Sequence, residues 1–177
     1  LSEERIGEVL DATAERPEIK GASLEEIEVI NAKRAHEFVR DYCKANPGNV
    51  TITEGFIRTL HRITTEGCVY PNNIPGDYRH HDTIAGEYRP PDHQDIERLM
   101  REFTLFINSR EVLEGYRALI RAVLAHFYLV SIHPFGDGNG RTSRAVEAFI
   151  LYQSGYNVRG FYSLANFYYR NRQRYID

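Results

Sequence analysis

His133-Pro134-Phe135-Gly136-Asp137-Gly138-Asn139-Gly140-Arg141-Thr142-Ser143-Arg144 lies between two apolar runs, Leu119 to Ile132 before it and Ala145 to Tyr152 after it. A polar, glycine-rich bend flanked by such runs predicts a turn that joins two buried helices. The turn opens the second helix with its first backbone N–H groups uncovered, and such a helix start favours anions. Alternating glycines let that backbone approach a ligand without side-chain obstruction.

Working outward, helical spacing recurs along most of the chain. Ile6, Val9 and Leu10 predict a short helix over 2–14, broken at Arg16-Pro17. Ser23 and Glu26 have capping-box spacing ahead of Ile27, Ile30, Ala35, Phe38 and Tyr42, so a long helix should run to about Asn46-Pro47-Gly48. Thr51 with Glu54 repeats the arrangement before Phe56, Ile57, Leu60 and Ile63, with a stop near Gly67. Asp92 with Asp95 starts the stripe Ile96, Leu99, Met100, Phe103, Ile107. Residues 112–131 are apolar on most sides, which predicts a central helix. Residues 142–153 continue as helix to Ser154-Gly155, and 163–176 form a last, basic and aromatic one. Between them, 68–91 is rich in proline, glycine and turn formers and predicts an irregular loop with a small hairpin turning near Asp82 to Gly86. The expected class is all-α: a helical bundle with one small β-hairpin.

The 177 residues read as a single domain spanning 1–177, with enough chain for a substantial core. The chain opens on Leu1 and is taken as a fragment, with 1–20 the remnant of an N-terminal regulatory helix. A formal net charge of −3 leaves no basic footprint for nucleic acid. No membrane span or signal peptide is expected. Cys43 and Cys68 lack metal-ligand spacing and are expected as reduced thiols in a cytoplasmic setting. His80-His81 with His93 lacks the helical spacing of a two-histidine metal site, so exposed loop histidines are the favoured reading.

The loop's residue types point to phosphate chemistry. Arg141 and Arg144, three apart on a helix, would face one side and could clamp phosphate oxygens. Asp137 inside the glycine cluster would repel phosphate unless a cation intervened, and Mg²⁺ suits that need. His133 titrates near neutrality and could take a proton from an attacking hydroxyl. Base, metal anchor, anion cradle and arginine clamp together suggest phosphoryl or nucleotidyl transfer.

The same stretch resembles the signature of the Fic (Fic/Doc) family, His-x-Phe-x-Asp/Glu-Gly-Asn-Gly-Arg-x-x-Arg, at every specified position. The likeness extends over roughly 20–176. It includes Ile57 to His61 and a flap read from Gly76-Asp77-Tyr78-Arg79, Gly86, Tyr88 and Pro90-Pro91. Such a resemblance implies a helical bundle with a hairpin flap over the active loop, and transfer of AMP from ATP to a Ser, Thr or Tyr hydroxyl of a target protein. It implies His133 as general base, Asp137 as the Mg²⁺ ligand and Phe135 as the loop's anchor in the core. Gly136, Gly138, Asn139 and Gly140 would form the phosphate-binding loop, with Arg141 and Arg144 on the β- and γ-phosphates. Tyr78, Arg79, Thr83, Ile84 and Gly86 would form the target-binding flap, and Tyr175 would border the adenine pocket. Gly140 departs from the kinase-like Doc branch, which has lysine there. An inhibitory Ser/Thr-x-x-x-Glu-Gly/Asn motif resembles 16–21, but Arg16 and Lys20 stand at its Ser/Thr and Glu positions. No inhibitory carboxylate is expected from this segment unless Glu15 or Glu18 meets Arg144. An inhibitory partner or flanking domain and a homodimer stay open. So do another nucleotide or phospho-donor, removal of AMP from a modified target, and an idle nucleotide-binding adaptor.

Overall fold

Residues 22–48 and 50–156 are described by the structure, a computed structural model. The helices expected over 2–14 and 163–176 lie outside the described residues. So do Glu15, Arg16, Glu18 and Lys20 of the inhibitory-motif comparison, and Tyr175.

Six α-helices are formed among the described residues: α1 Leu24–Ala45, α2 Glu54–Thr65, α3 Ile96–Ile107, α4 Arg110–Gly115, α5 Ala118–Ile132 and α6 Asn139–Gln153. A 3₁₀ turn, His93–Asp95, leads into α3. The class is all-α as expected, with no strand among the described residues. Among these residues no helix is long and apolar enough to cross a membrane.

Helix α1 begins on the expected capping box. The Glu26 amide donates to Ser23 Oγ at 3.2 Å, and the Ser23 amide donates to Glu26 Oε2 at 2.9 Å. Helix α2 is capped by Thr53 rather than Thr51, its Oγ1 accepting from the Phe56 amide at 3.1 Å. The two-residue shift has a cause in Asn108, at the end of α3. Its side chain accepts from the Ile52 amide at 2.9 Å and donates to the Ile52 carbonyl at 2.8 Å, while Ile52 itself is fully buried. Those bonds hold the chain outside the helix through residue 52.

The run expected as one central helix over 112–131 is two helices, α4 and α5, separated by extended backbone at Tyr116 and Arg117. The break follows Gly115, which the continuous apolar sequence concealed. Helix α5 is also only half interior. Ala122, Ala125, Leu129 and Ile132 face the core, while Leu119, Ile120, Val123 and Phe127 are exposed. The central helix is α6, which packs against α1, α2 and α5. It buries Val146, Phe149, Ile150 and Leu151, with Phe149 set 4.5 Å from the ring of Phe56. One polar pair crosses the α5–α6 interface: His126 Nδ1 lies 2.8 Å from Glu147 Oε2, both side chains almost wholly shielded from solvent.

Residues 66–92 do not form the expected hairpin. One isolated antiparallel bridge joins Ala85 to Tyr88, with reciprocal backbone bonds of 2.9 and 3.0 Å, and the turn is at Gly86-Glu87 rather than 82–86. Pro90 and Pro91 carry no N–H and cannot extend a ladder. The segment is instead held from below, by the side chain of Arg79 and by Tyr88 Oη, which donates to the Ser131 carbonyl at 2.8 Å.

Candidate active site

The end of α5 and the start of α6 meet at the glycine-rich loop. His133 closes α5 in the left-handed region (φ 51°, ψ 56°), a conformation that costs a non-glycine residue on the order of 1 kcal/mol. Its backbone is held on both sides: its amide donates to the Leu129 carbonyl at 3.0 Å, and its carbonyl accepts from Arg79 Nε at 2.8 Å. The imidazole Nδ1 lies 3.3 Å from the Val130 carbonyl. A carbonyl can only accept, so Nδ1 donates in this contact, and in the neutral ring Nε2 then keeps its lone pair. Burial lowers the pKa of His133, opposed by the Val130 bond; the Arg79 cation lowers it further and the Asp137 carboxylate raises it. A neutral imidazole with a bare Nε2 is the form a general base requires.

Phe135 is buried and stacks on His61, with ring centroids 3.7 Å apart and planes 4° from parallel. Asn139 clamps the loop from within. Its Oδ1 accepts from the Phe135 amide and its Nδ2 donates to the Phe135 carbonyl, each at 2.9 Å. The Asn139 side chain is therefore a brace, and only its backbone is available to a ligand. Gly136 is demanded by packing, since a Cβ there would lie 2.4 Å from the Asn72 carbonyl oxygen. Gly138 caps α6 with φ 74°, and a Cβ would lie 2.5 Å from the Thr65 methyl.

Asp137 sits at the exposed rim of the loop. Its Oδ1 accepts from the Gly138 amide at 2.5 Å and from Arg141 Nη2 at 3.0 Å. An oxygen anion thus already lies where the amide and the guanidinium converge. Arg141 Nη1 donates to Tyr70 Oη at 2.6 Å and pairs with Glu28 Oε1 at 3.0 Å, and its guanidinium sits 5.0 Å over the Tyr70 ring. The guanidinium is therefore tethered outward by α1 and Tyr70 while reaching inward to the loop. The guanidinium of Arg144 lies back along α6, its Nη1 3.3 Å from where a Gly140 Cβ would stand. Among the described residues no three His, Cys, Asp or Glu side chains gather as a metal cage. A single rim carboxylate beside an anion cradle is a donor set suited to Mg²⁺, which binds one or two carboxylates and completes its shell with phosphate and water.

The residues expected in a target-binding flap fall into two groups. Ile84 and Gly86 are exposed and Thr83 is half-buried, so all three have surface to offer. Tyr78 and Arg79 point inward. The Tyr78 hydroxyl donates to Glu54 Oε2 at 2.9 Å and its ring lies 5.5 Å from Phe135. The Arg79 side chain is fully buried and donates to the carbonyls of His133, His81 and Pro91 at 2.8, 2.7 and 2.5 Å. Of the loop histidines, His80 is exposed and His93 is paired through Nδ1 with Asp82 Oδ1 at 2.9 Å.

Four residues outside the signature shape the site: Glu28, His61, Tyr70 and Asn73. Asn73 Oδ1 accepts from the Asp137 amide at 3.0 Å. His61 falls within the Ile57 to His61 likeness and at an interior position of α2, where a polar residue needs a partner.

The Fic/DOC family model matches residues 51–151. The Protein adenylyltransferase Fic of Drosophila erecta is 39% identical over 107 residues, covering 60% of this chain and 21% of that protein. The protein of the same name from Drosophila melanogaster is 41% identical over 107 residues, with the same coverage. The chain thus spans about a fifth of the length of these curated relatives. Among solved structures, Fic-1 from C. elegans superposes with a TM-score of 0.66 at 26% identity, covering 99% of this chain and 54% of that one. A Fic family protein from Desulfovibrio desulfuricans gives 0.66 at 25% identity, covering 85% and 42%. With the family model matching more than half of its length, this chain belongs to the Fic/DOC family.

Proposed function

We propose that this domain transfers AMP from ATP to a hydroxyl side chain of a target protein. The observation that carries the reading is the place of His133 at the mouth of a loop that already cradles a carboxylate oxygen, with Nδ1 facing the Val130 carbonyl so that Nε2 is the nitrogen left to meet an incoming hydroxyl. Two relatives named as protein adenylyltransferases support it.

In this reading Nε2 of His133 takes the proton of the incoming hydroxyl as its oxygen bonds to the α-phosphorus of ATP. The bond from that phosphorus to the bridging oxygen breaks, and pyrophosphate leaves. Mg²⁺ held by Asp137 would neutralise charge on the phosphates. The Gly138 amide and Arg141, which now meet at the Asp137 carboxylate, would receive phosphate oxygens, as would the free amides of Asn139 and Gly140 at the α6 N-terminus. Arg144 would serve the far end of the triphosphate. The target would lie along 72–86, where a cleft of about 390 Å³ has Asn73 and Arg79 in its walls, the two residues bonded to Asp137 and to the His133 carbonyl. Thr83, Ile84 and Gly86 would meet the target, the segment serving as a flap, while Tyr78 and Arg79 support it.

ATP labelled at the α-phosphate tests this directly. Protein-bound label is expected with the native chain, and His133→Ala should slow it by about 10²- to 10⁴-fold, the usual cost of a lost general base. Label arriving only from the γ-phosphate would replace the reading with a kinase. Nucleotide binding without any transfer would replace it with an adaptor.

A further inference from the structure

His61 lies at the inner wall of the site, on α2, and is fully buried. Both ring nitrogens are engaged, and the partners fix the tautomer. The Gly76 amide donates to Nδ1 at 2.8 Å, and an amide N–H cannot accept, so Nδ1 holds the lone pair. The proton is then on Nε2, which donates to the Asp137 carbonyl at 3.0 Å.

That second bond has a consequence one atom further along the chain. In a trans peptide the carbonyl of one residue and the amide of the next point in opposite directions. With the Asp137 carbonyl drawn inward by Nε2–H, the Gly138 N–H is turned outward, toward the oxygen it shares with Arg141. Stacking on Phe135 sets the plane of the ring, and hence the direction in which Nε2–H is delivered. His61 bonds the backbone carbonyl of Asp137 and not its carboxylate.

We infer that His61 is a positioning residue of the anion cradle: it aims the Gly138 amide at a phosphate oxygen by pinning the carbonyl of the same peptide unit. The inference rests on the nucleotide reading above, and it gives a role to the buried imidazole of α2.

Two substitutions separate aiming from filling space. Glutamine places an amide nitrogen the same number of bonds from the backbone as Nε2 and can still donate to the Asp137 carbonyl. Asparagine reaches only the Nδ1 position, where it can satisfy Gly76 but not Asp137. Binding of the non-hydrolysable analogue AMP-PNP with Mg²⁺ is measured by calorimetry, with KM and kcat taken alongside. His61→Asn is expected to weaken binding about 10-fold, the worth of one hydrogen bond, and His61→Gln to stay within about 3-fold of the native chain. A matching rise in KM with a smaller change in kcat is expected for the asparagine variant. Equal affinities for the two variants would overturn the inference, and a native chain that binds no analogue would overturn the nucleotide reading instead. If the asparagine variant does not fold, ¹⁵N spectra of the native chain decide. The Gly138 amide resonance must move on adding the analogue while His61 keeps its Nε2–H tautomer, and a static Gly138 amide overturns the inference.

Discussion

Arg79 shows how much of a site a single side chain can organise. A shielded guanidinium is costly unless its donors are matched, and here three backbone carbonyls match them. One of those carbonyls belongs to His133, whose left-handed backbone has to be held in place. The Arg79 cation also presses down the pKa of His133. Arg79→Met removes that charge, so His133 should titrate at higher pH than in the native chain, with Arg79→Lys moving it less. The ring-proton NMR signal of His133 reads this, and an unchanged titration in the methionine variant would refute the electrostatic role. Each carbonyl left unpaired should also cost about 1–3 kcal/mol of stability, visible in urea unfolding. The sequence placed Arg79 in the flap but pointed it at a target, because its partner at residue 133 lies 54 positions away and no local pattern reports so distant a bond.

At the scale of elements, capping decides where α2 starts and so where His61 faces. Thr53 supplies the cap, while Thr51 is exposed and makes none. Thr53→Ala should cost about 1 kcal/mol in urea unfolding, and Thr51→Ala should stay within about 0.5 kcal/mol of the native chain. The reverse order would restore the sequence-based assignment. That assignment failed because two threonines near one glutamate satisfy the same pattern, and the choice between them is made by Asn108 on another helix. Helices with an apolar stripe were legible: α1, α2 and α3 all contain the residues that spacing marked, and α6 contains the run expected over 142–153. The break between α4 and α5 was not, because apolar residues continue across Gly115. The exposed face of α5 was hidden for the same reason. Residues 68–91 were legible as irregular but not as a single bridge, since side-chain bonds from Arg79 and Tyr88 hold them where backbone pairing was expected.

Among the described residues the loop is gripped from three directions: by Arg79 of the 66–92 segment, by Glu28 and Tyr70 on the outer side, and by His61 from the core. The motif residues themselves were legible in the sequence because they are contiguous. The grips were not, because they are scattered over residues 28–79 and meet only in the fold. Gripping a loop through a buried imidazole ties the stability of the molecule to pH. Burial is the main force pushing the His61 pKa down to about 4; the Arg141 cation pushes the same way, while the bond to the Asp137 carbonyl, the nearby Asn73 side chain and the Asp137 charge oppose it. An unfolded histidine titrates near 6.5. The folded value is the lower one, so the stabilisation is complete above pH 6.5 and is lost as the pH falls through that value toward 4. The span between the two values corresponds to about 3 kcal/mol as an upper figure. His61→Gln cannot titrate, so without added metal the native chain's advantage over it in urea unfolding should shrink by up to about 3 kcal/mol between pH 7 and pH 4. Acidic groups elsewhere titrate equally in both proteins and cancel in the difference. A gap that stays constant over that range would mean that His61 is not held neutral by its burial.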